Sequence, residues 1–196
     1  DTDQAIDVDI ETSVSNMIYI GSIVERKGLR HLVNSLKILK EDSLDFKLFI
    51  VGDLELDSVH TNELKDLINK LDLKDNIRFL GYLDEPLNLL KSMDLLVLPS
   101  LDEGVPKSVI ESICIGVPVV ATDVGGTTEI VKNLENGIIV EPGDEKELYS
   151  GIMKFFQNKK SITESAKDMS LQARSTYSFS LHAKNLSLIY KGLSRK

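Results

Sequence analysis

Short apolar runs alternating with amphipathic stretches constrain this chain more than any other feature. The runs are Met17 to Ile20, Phe46 to Val51, Ile77 to Leu80, Leu95 to Leu98, Pro118 to Ala121 and Ile138 to Val140. Their length and unbroken apolar character suit strands buried on both faces, as in a parallel sheet. Between them, Leu29, Leu32, Val33, Leu36 and Leu39 recur at helical spacing, as do Leu64, Leu67, Ile68 and Leu71. Leu148, Ile152, Phe155 and Phe156 repeat the signal behind a capping box of Asp144 and Glu147. Ser161 with Glu164 predicts another helix start, and Phe179 to Lys196 a final amphipathic helix bearing Leu181, Leu186, Ile189 and Leu193. This β-α-β order predicts an α/β fold, a doubly wound and mainly parallel sheet flanked by helices. Ligands then sit at the C-terminal ends of the strands.

The 196 residues fit one domain or one half of a two-domain protein, and the 42% apolar content supports a sizeable core. We expect residues 1–15, acidic and polar, to be a linker or the edge of a neighbouring domain, and 16–196 to be the folded unit. A net charge of −8 argues against nucleic acid and against an anionic membrane as partners of this domain. The single cysteine, Cys114, can form no internal disulfide, so a reducing, cytoplasmic compartment is expected. No apolar run approaches the roughly 18 residues that span a bilayer. Cys114 reads as a small core residue rather than a nucleophile. His31 and His182 read as surface residues, and no Cys or His cluster suggests a metal. Asp7-Val8-Asp9 has the Asp-x-Asp form that holds a divalent cation in some sugar transferases, but such a pair is common by chance in an acidic tail.

The densest chemistry lies from Leu98 to Val131. Two carboxylates, Glu103 and Glu111, flank a predicted helix start that carries Gly104 and Pro106. Proline suits a first helical position. The free N–H groups of a first turn favour anions or dense oxygen acceptors. Glu111, two turns further in, can accept a pair of hydroxyl hydrogen bonds. A solvated helix start followed by an ordinary strand is the alternative.

Other strand ends could join this pair. After the first strand runs Gly21-Ser22-Ile23-Val24-Glu25-Arg26-Lys27-Gly28, which is neither a Walker loop nor the dinucleotide fingerprint. Lys27 falls where a phosphate at the following helix start would lie, against the helix dipole; Arg26 could do the same work, and a solvated Lys is the other option. Gly52-Asp53-Leu54 leads to a polar loop with His60, which reads best as a turn with a surface histidine. After the third strand, the backbone around Leu80 in Phe79-Leu80-Gly81-Tyr82 could face a nucleobase, or be plain core strand and turn.

In this order and spacing, these motifs resemble the C-terminal, donor-binding domain of the family 4 retaining glycosyltransferases, which pair two Rossmann-like domains in the GT-B arrangement. The residues carrying the resemblance are Gly21…Lys27-Gly28, Gly52-Asp53, Phe79-Leu80-Gly81 and Pro99-Ser100-x-x-Glu103-Gly104. Glu111, Gly116-x-Pro118-Val119-Val120 and Gly125-Gly126-x-x-Glu129 complete the set. The resemblance implies that Glu103 and Lys27 are the catalytic pair. Glu103 would contact donor-sugar hydroxyls near the reacting carbon, and Lys27 would neutralise the diphosphate. Glu111 would bind both ribose hydroxyls, and the amides of Gly104, Val105 and Lys107 would face the sugar and phosphate. By the same resemblance the ligand would be a nucleotide-sugar, a UDP-sugar by default, with no cofactor or metal ion. The acceptor, a glycan or glycolipid, would bind through an N-terminal domain outside this chain, so the chain alone is expected to bind donor weakly and transfer nothing. One position departs from the family: Ser22 stands where an Arg is usual. That substitution keeps two alternatives in view, a non-catalytic nucleotide-sugar-binding subunit and a nucleotide-sugar epimerase of the same architecture.

Overall fold

The computed structural model describes residue 10 and residues 13–193. The predicted linker over residues 1–15 lies mostly outside that range, as does Asp7-Val8-Asp9. The strands are β1 (Ser15–Ile20), β2 (Phe46–Val51), β3 (Ile77–Gly81), β4 (Leu95–Leu98), β5 (Val119–Thr122) and β6 (Gly137–Val140). The helices are α1 (Leu29–Glu41), α2 (Ser58–Lys70), α3 (Pro86–Leu90), α4 (Lys107–Ile115) and α5 (Thr127–Ile130), then α6 (Glu145–Gln157), α7 (Lys159–Thr176) and α8 (Phe179–Leu193).

The strands form one six-stranded sheet in the order β3-β2-β1-β4-β5-β6, and every pairing is parallel. This is the Rossmann-like, doubly wound fold that the apolar runs predict. β1 lies at the centre, with Ile18 in register with Phe49 on one side and Leu96 on the other. Met17, Ile18 and Tyr19 are fully buried. Helices cover the sheet in two groups: α1 packs on α2 and α6, and α4 packs on α3, α5 and α7. The chain leaves β1 in one direction and β4 in the other, so a crevice opens between their C-terminal ends. Such switch points are where open α/β sheets bind ligands.

Local chemistry explains most boundaries. α1 buries Leu29, Leu32, Val33, Leu36 and Leu39 along one face. The Asp144 carboxylate caps α6 by accepting from the N–H groups of Lys146 (2.8 Å) and Glu147 (3.1 Å). Asp57 caps α2 by accepting from His60 N–H at 3.0 Å.

The structure corrects several details. β5 starts at Val119 because Pro118 has no N–H for the ladder, although its carbonyl still accepts from Leu96 N–H at 3.0 Å. α7 begins at Lys159 behind Asn158, so Ser161 and Glu164 lie inside a helix rather than at its start. Pro106 is the capping residue of α4, in an extended conformation, and Lys107 is the first helical residue. Glu111 therefore sits little more than one turn into the helix, not two. Among the described residues, no helix is long and apolar enough to cross a membrane.

Candidate functional site

The cleft at the crevice is built from loops locked together through their backbones. Gly21 N–H donates to Val51 O at 3.0 Å, and Leu101 N–H donates to Arg26 O at 2.8 Å. Gly28 closes the β1–α1 loop at φ +68°, and a Cβ there would lie 1.9 Å from Pro99 O. Only glycine lets this loop touch the β4–α4 loop so closely. Gly125, at φ +53°, meets Glu103 O in the same way, with a Cβ placed 2.2 Å from it. Its neighbour Gly126 donates N–H to Gly104 O at 2.7 Å. From beneath, the buried Thr122 hydroxyl donates to Ser100 O at 2.6 Å.

Against this frame, Lys27 and Glu103 meet. Lys27 Nζ lies 2.6 Å from Glu103 Oε1, with side-chain exposures of only 13% and 9%. The fully buried Ser100 donates its hydroxyl to the same oxygen at 2.7 Å. Glu103 Oε1 is thus held by two donors, while Oε2 has no hydrogen bond among the described residues. The expected catalytic pair is one ion pair, mostly withdrawn from water, with one carboxylate oxygen to spare.

Lys27, Glu103 and Glu111 all line an inner cavity of about 260 Å³, together with Ser22, Pro106 and Lys107. The first turn of α4 runs along this cavity, where its N–H groups lack intrahelical partners. Val105 also lines it and is 62% exposed. Glu111 reaches a second, adjoining cavity of about 470 Å³, walled by Gly52, Asp53, Tyr82, Leu83 and Asp84. Gly21 and Ser22 border both. Among the described residues Glu111 makes no hydrogen bond or ion pair, so its carboxylate is available to a ligand.

Other sequence-predicted residues fall at the margins. Arg26 is exposed, donates from Nη1 to Asp102 O at 3.4 Å, and lines an outer groove with Ser22 and Asp57 instead of the inner cavity. Gly104 is exposed beside the cavity, its carbonyl engaged by Gly126. Leu80 is half-buried within β3, and the cavity wall is formed by the residues just after it. Glu129 is exposed on α5. His60 is not a surface residue of a loop: it lies in the first turn of α2, 7% exposed, because that turn packs inward. His31 is half-buried on α1, 3.6 Å from Glu145. The His182 side chain lies outside the described residues. Cys114 is half-buried on α4; burial chiefly raises its thiol pKa, Glu111 adds to this, and Arg174 opposes it. A protonated thiol suits packing and not nucleophilic attack.

Two supporting residues escape a reading of the sequence. Tyr19 is buried in β1, and its hydroxyl donates to Ser22 O at 2.7 Å, fixing the loop that borders both cavities. Burial first, and then the Glu103 carboxylate, push its phenol far above the usual range, with Arg26 opposing. It stays a donor at any physiological pH. Thr122 is the other; Ser100 belongs to a motif the sequence displays, but its bond to Glu103 is seen only in the structure. A tyrosine in an otherwise aliphatic buried strand is a signal that could have been used, since a buried phenol needs a partner.

Known proteins resemble this chain in sequence and fold. The sequence pattern described as "Glycosyl transferases group 1" matches residues 7–176. The capsular polysaccharide biosynthesis glycosyltransferase CapM of Staphylococcus aureus is 33% identical over 147 residues, 74% of this chain and 37% of CapM. The UDP-Gal:alpha-D-GlcNAc-diphosphoundecaprenol alpha-1,3-galactosyltransferase of Escherichia coli is 29% identical over 143 residues, 71% of this chain and 36% of that enzyme. A crystal structure of a glycosyltransferase from Rickettsia africae superposes with a TM-score of 0.85 at 27% identity, over 96% of this chain and 50% of that one. The chain thus spans half or less of the length of these proteins. With its pattern matched over most of its length and its fold shared, this chain belongs to the group 1 glycosyltransferases.

Proposed function

We propose that the paired cavities hold a nucleotide-sugar, and that the protein transfers its sugar, with retention, to a glycan or lipid-linked acceptor presented by a facing domain. This chain is then the C-terminal donor half of a family 4, GT-B enzyme working in the cytoplasm. One observation carries the reading: Lys27, Glu103 and Glu111 line a single cavity at the switch point of a parallel sheet. A cation, a carboxylate with a spare oxygen and a carboxylate unpaired among the described residues match a diphosphate, a sugar and a ribose in turn. The default donor is a UDP-sugar, in keeping with the UDP-galactose used by the Escherichia coli relative.

In this mechanism the acceptor oxygen bonds to the anomeric carbon on the face from which the diphosphate departs. The leaving phosphate oxygen takes the acceptor's proton as the old C–O bond breaks. Negative charge grows on the diphosphate, so positive groups preorganised there lower the barrier. Lys27 and the first-turn amides of α4 are those groups. Glu103 orients the sugar through its hydroxyls, and Glu111 anchors the ribose.

A second reading, a nucleotide-sugar-binding subunit without turnover, draws on Ser22. A hydrogen bond from a charged donor contributes about 1.5–3 kcal/mol, and Ser22 forgoes the forked one an Arg would give. The test is calorimetric titration with UDP, GDP, ADP and their sugars, comparing wild type with Lys27→Ala and Glu111→Ala. Selective binding of one nucleotide, weakened by both substitutions, is expected; absence of binding at millimolar ligand would refute the donor site in this chain.

A further inference from the structure

We infer that Glu103 makes the site select nucleotide-sugar over free nucleoside diphosphate, by holding Lys27 back until sugar hydroxyls take over its carboxylate. This rests on the donor-site reading and concerns what the empty pair does to that ligand.

The geometry sets up a competition. Lys27 Nζ is 2.6 Å from Glu103 Oε1, and both side chains are largely shielded from water. To meet a diphosphate, the ammonium has to leave or share this contact. A shielded carboxylate that loses its cation is left with little compensation, which is strongly unfavourable. Ser100 limits the loss, since its hydroxyl at 2.7 Å stays with Oε1. Ser100 cannot supply charge, however, and Oε2 remains without a partner among the described residues.

A free nucleoside diphosphate draws Lys27 away and offers Glu103 nothing in return. It also sets a second negative group beside the abandoned carboxylate. A nucleotide-sugar brings hydroxyl donors to that same carboxylate, so Lys27 can turn to the phosphates while Glu103 stays satisfied. The two halves of the ligand are thereby coupled through one ion pair. The group spent in the reaction, the sugar, is the group that stabilises the bound state, so its loss favours release of the nucleotide product. Tyr19, Thr122 and Gly28 hold the loops so that the pair does not simply drift apart.

The experiment is titration of the chain with UDP, GDP and ADP, using wild type, Glu103→Gln, Lys27→Met and the double variant. Glutamine keeps the shape and removes the charge. Glu103→Gln is expected to bind the preferred free nucleotide roughly tenfold more tightly, the scale of one charged hydrogen bond regained. The gain is expected to vanish in the Lys27→Met background. Unchanged or weaker nucleotide binding by Glu103→Gln overturns the inference while leaving the donor site standing. A gain that persists without Lys27 also overturns it, since simple removal of negative charge then suffices. If wild type binds none of the three nucleotides, the donor-site reading falls and the inference with it. Should Glu103→Gln fail to fold in a thermal melt, Ser100→Ala serves instead. Leaving Glu103 to lean on Lys27 alone should weaken nucleotide binding several-fold, and unchanged or tighter binding contradicts the coupling.

Discussion

Glu103 and Glu111 border the same cavity, yet the protein treats them in opposite ways. Glu103 is clamped by Lys27 and Ser100, on a loop that Gly125 and Thr122 hold from two sides. Glu111 rides on a helix and faces the cavity with no partner among the described residues. The comparison extends to the two ends of the cleft. Around Glu103, side chains are bound to one another before any ligand arrives. Around the second cavity, Asp53, Tyr82 and Asp84 are exposed, and the wall is mostly loop. A preorganised end suits the reacting bond, where small misplacements are expensive. A looser end suits a base that has only to be held.

Several substitutions break or sharpen this contrast. The largest effect belongs to Gly28→Ala. With φ at +68° and a Cβ 1.9 Å from Pro99 O, the two loops must separate. Strain and backbone displacement together are expected to cost about 3 kcal/mol or more, read as a drop in the urea midpoint, whereas a melt like that of wild type would mean the loops are not truly locked. Next comes Glu111→Ala, which removes two expected hydroxyl contacts and should weaken every nucleotide by about tenfold to a hundredfold. Titration should show the opposite sign from Glu103→Gln with free nucleotide; the same sign in both would erase the distinction between clamped and free carboxylates. Ser22→Arg restores a cation at the border of both cavities and should tighten nucleotide binding by about tenfold. No gain would show that the main-chain and Lys27 contacts already saturate the phosphate. The smallest effect is Tyr19→Phe, which leaves Ser22 O short of a buried donor. A stability loss of about 1 kcal/mol is expected, with a modest loss of nucleotide affinity, and a neutral result would remove Tyr19 from the support of the loop.

The fold was legible because its strands are buried on both faces, and unbroken apolar runs such as Phe46 to Val51 have few other uses. α3 and α5, five and four residues long, escape because a helix of one turn shows no periodicity. His60 is hard to place for a related reason: in Asp57-Ser58-Val59-His60 the histidine looks like loop until Asp57 is seen to cap a helix there. In the site, Lys27, Glu103 and Glu111 stand in local motifs that the sequence displays, and the structure brings all three to one cavity. The direct contact between Lys27 and Glu103 was not legible, because the two stand 76 positions apart and only the sheet order joins them. Tyr19 and Thr122 were hidden as well. They sit next to and at the C-terminal ends of β1 and β5, and the loop carbonyl that each hydroxyl meets is known only once the loops are placed.

The donor-site proposal places the ligand in one cleft running from Lys27 to Tyr82 by way of Glu111. Backbone amide shift mapping of the isotope-labelled chain during titration with UDP, GDP and ADP tests it most directly. Perturbations are expected to be confined to Gly21, Ser22, Gly52, Tyr82 and the first turn of α4 at Lys107 and Ser108. Shifts centred on α7 or α8, with those amides unmoved, would contradict it.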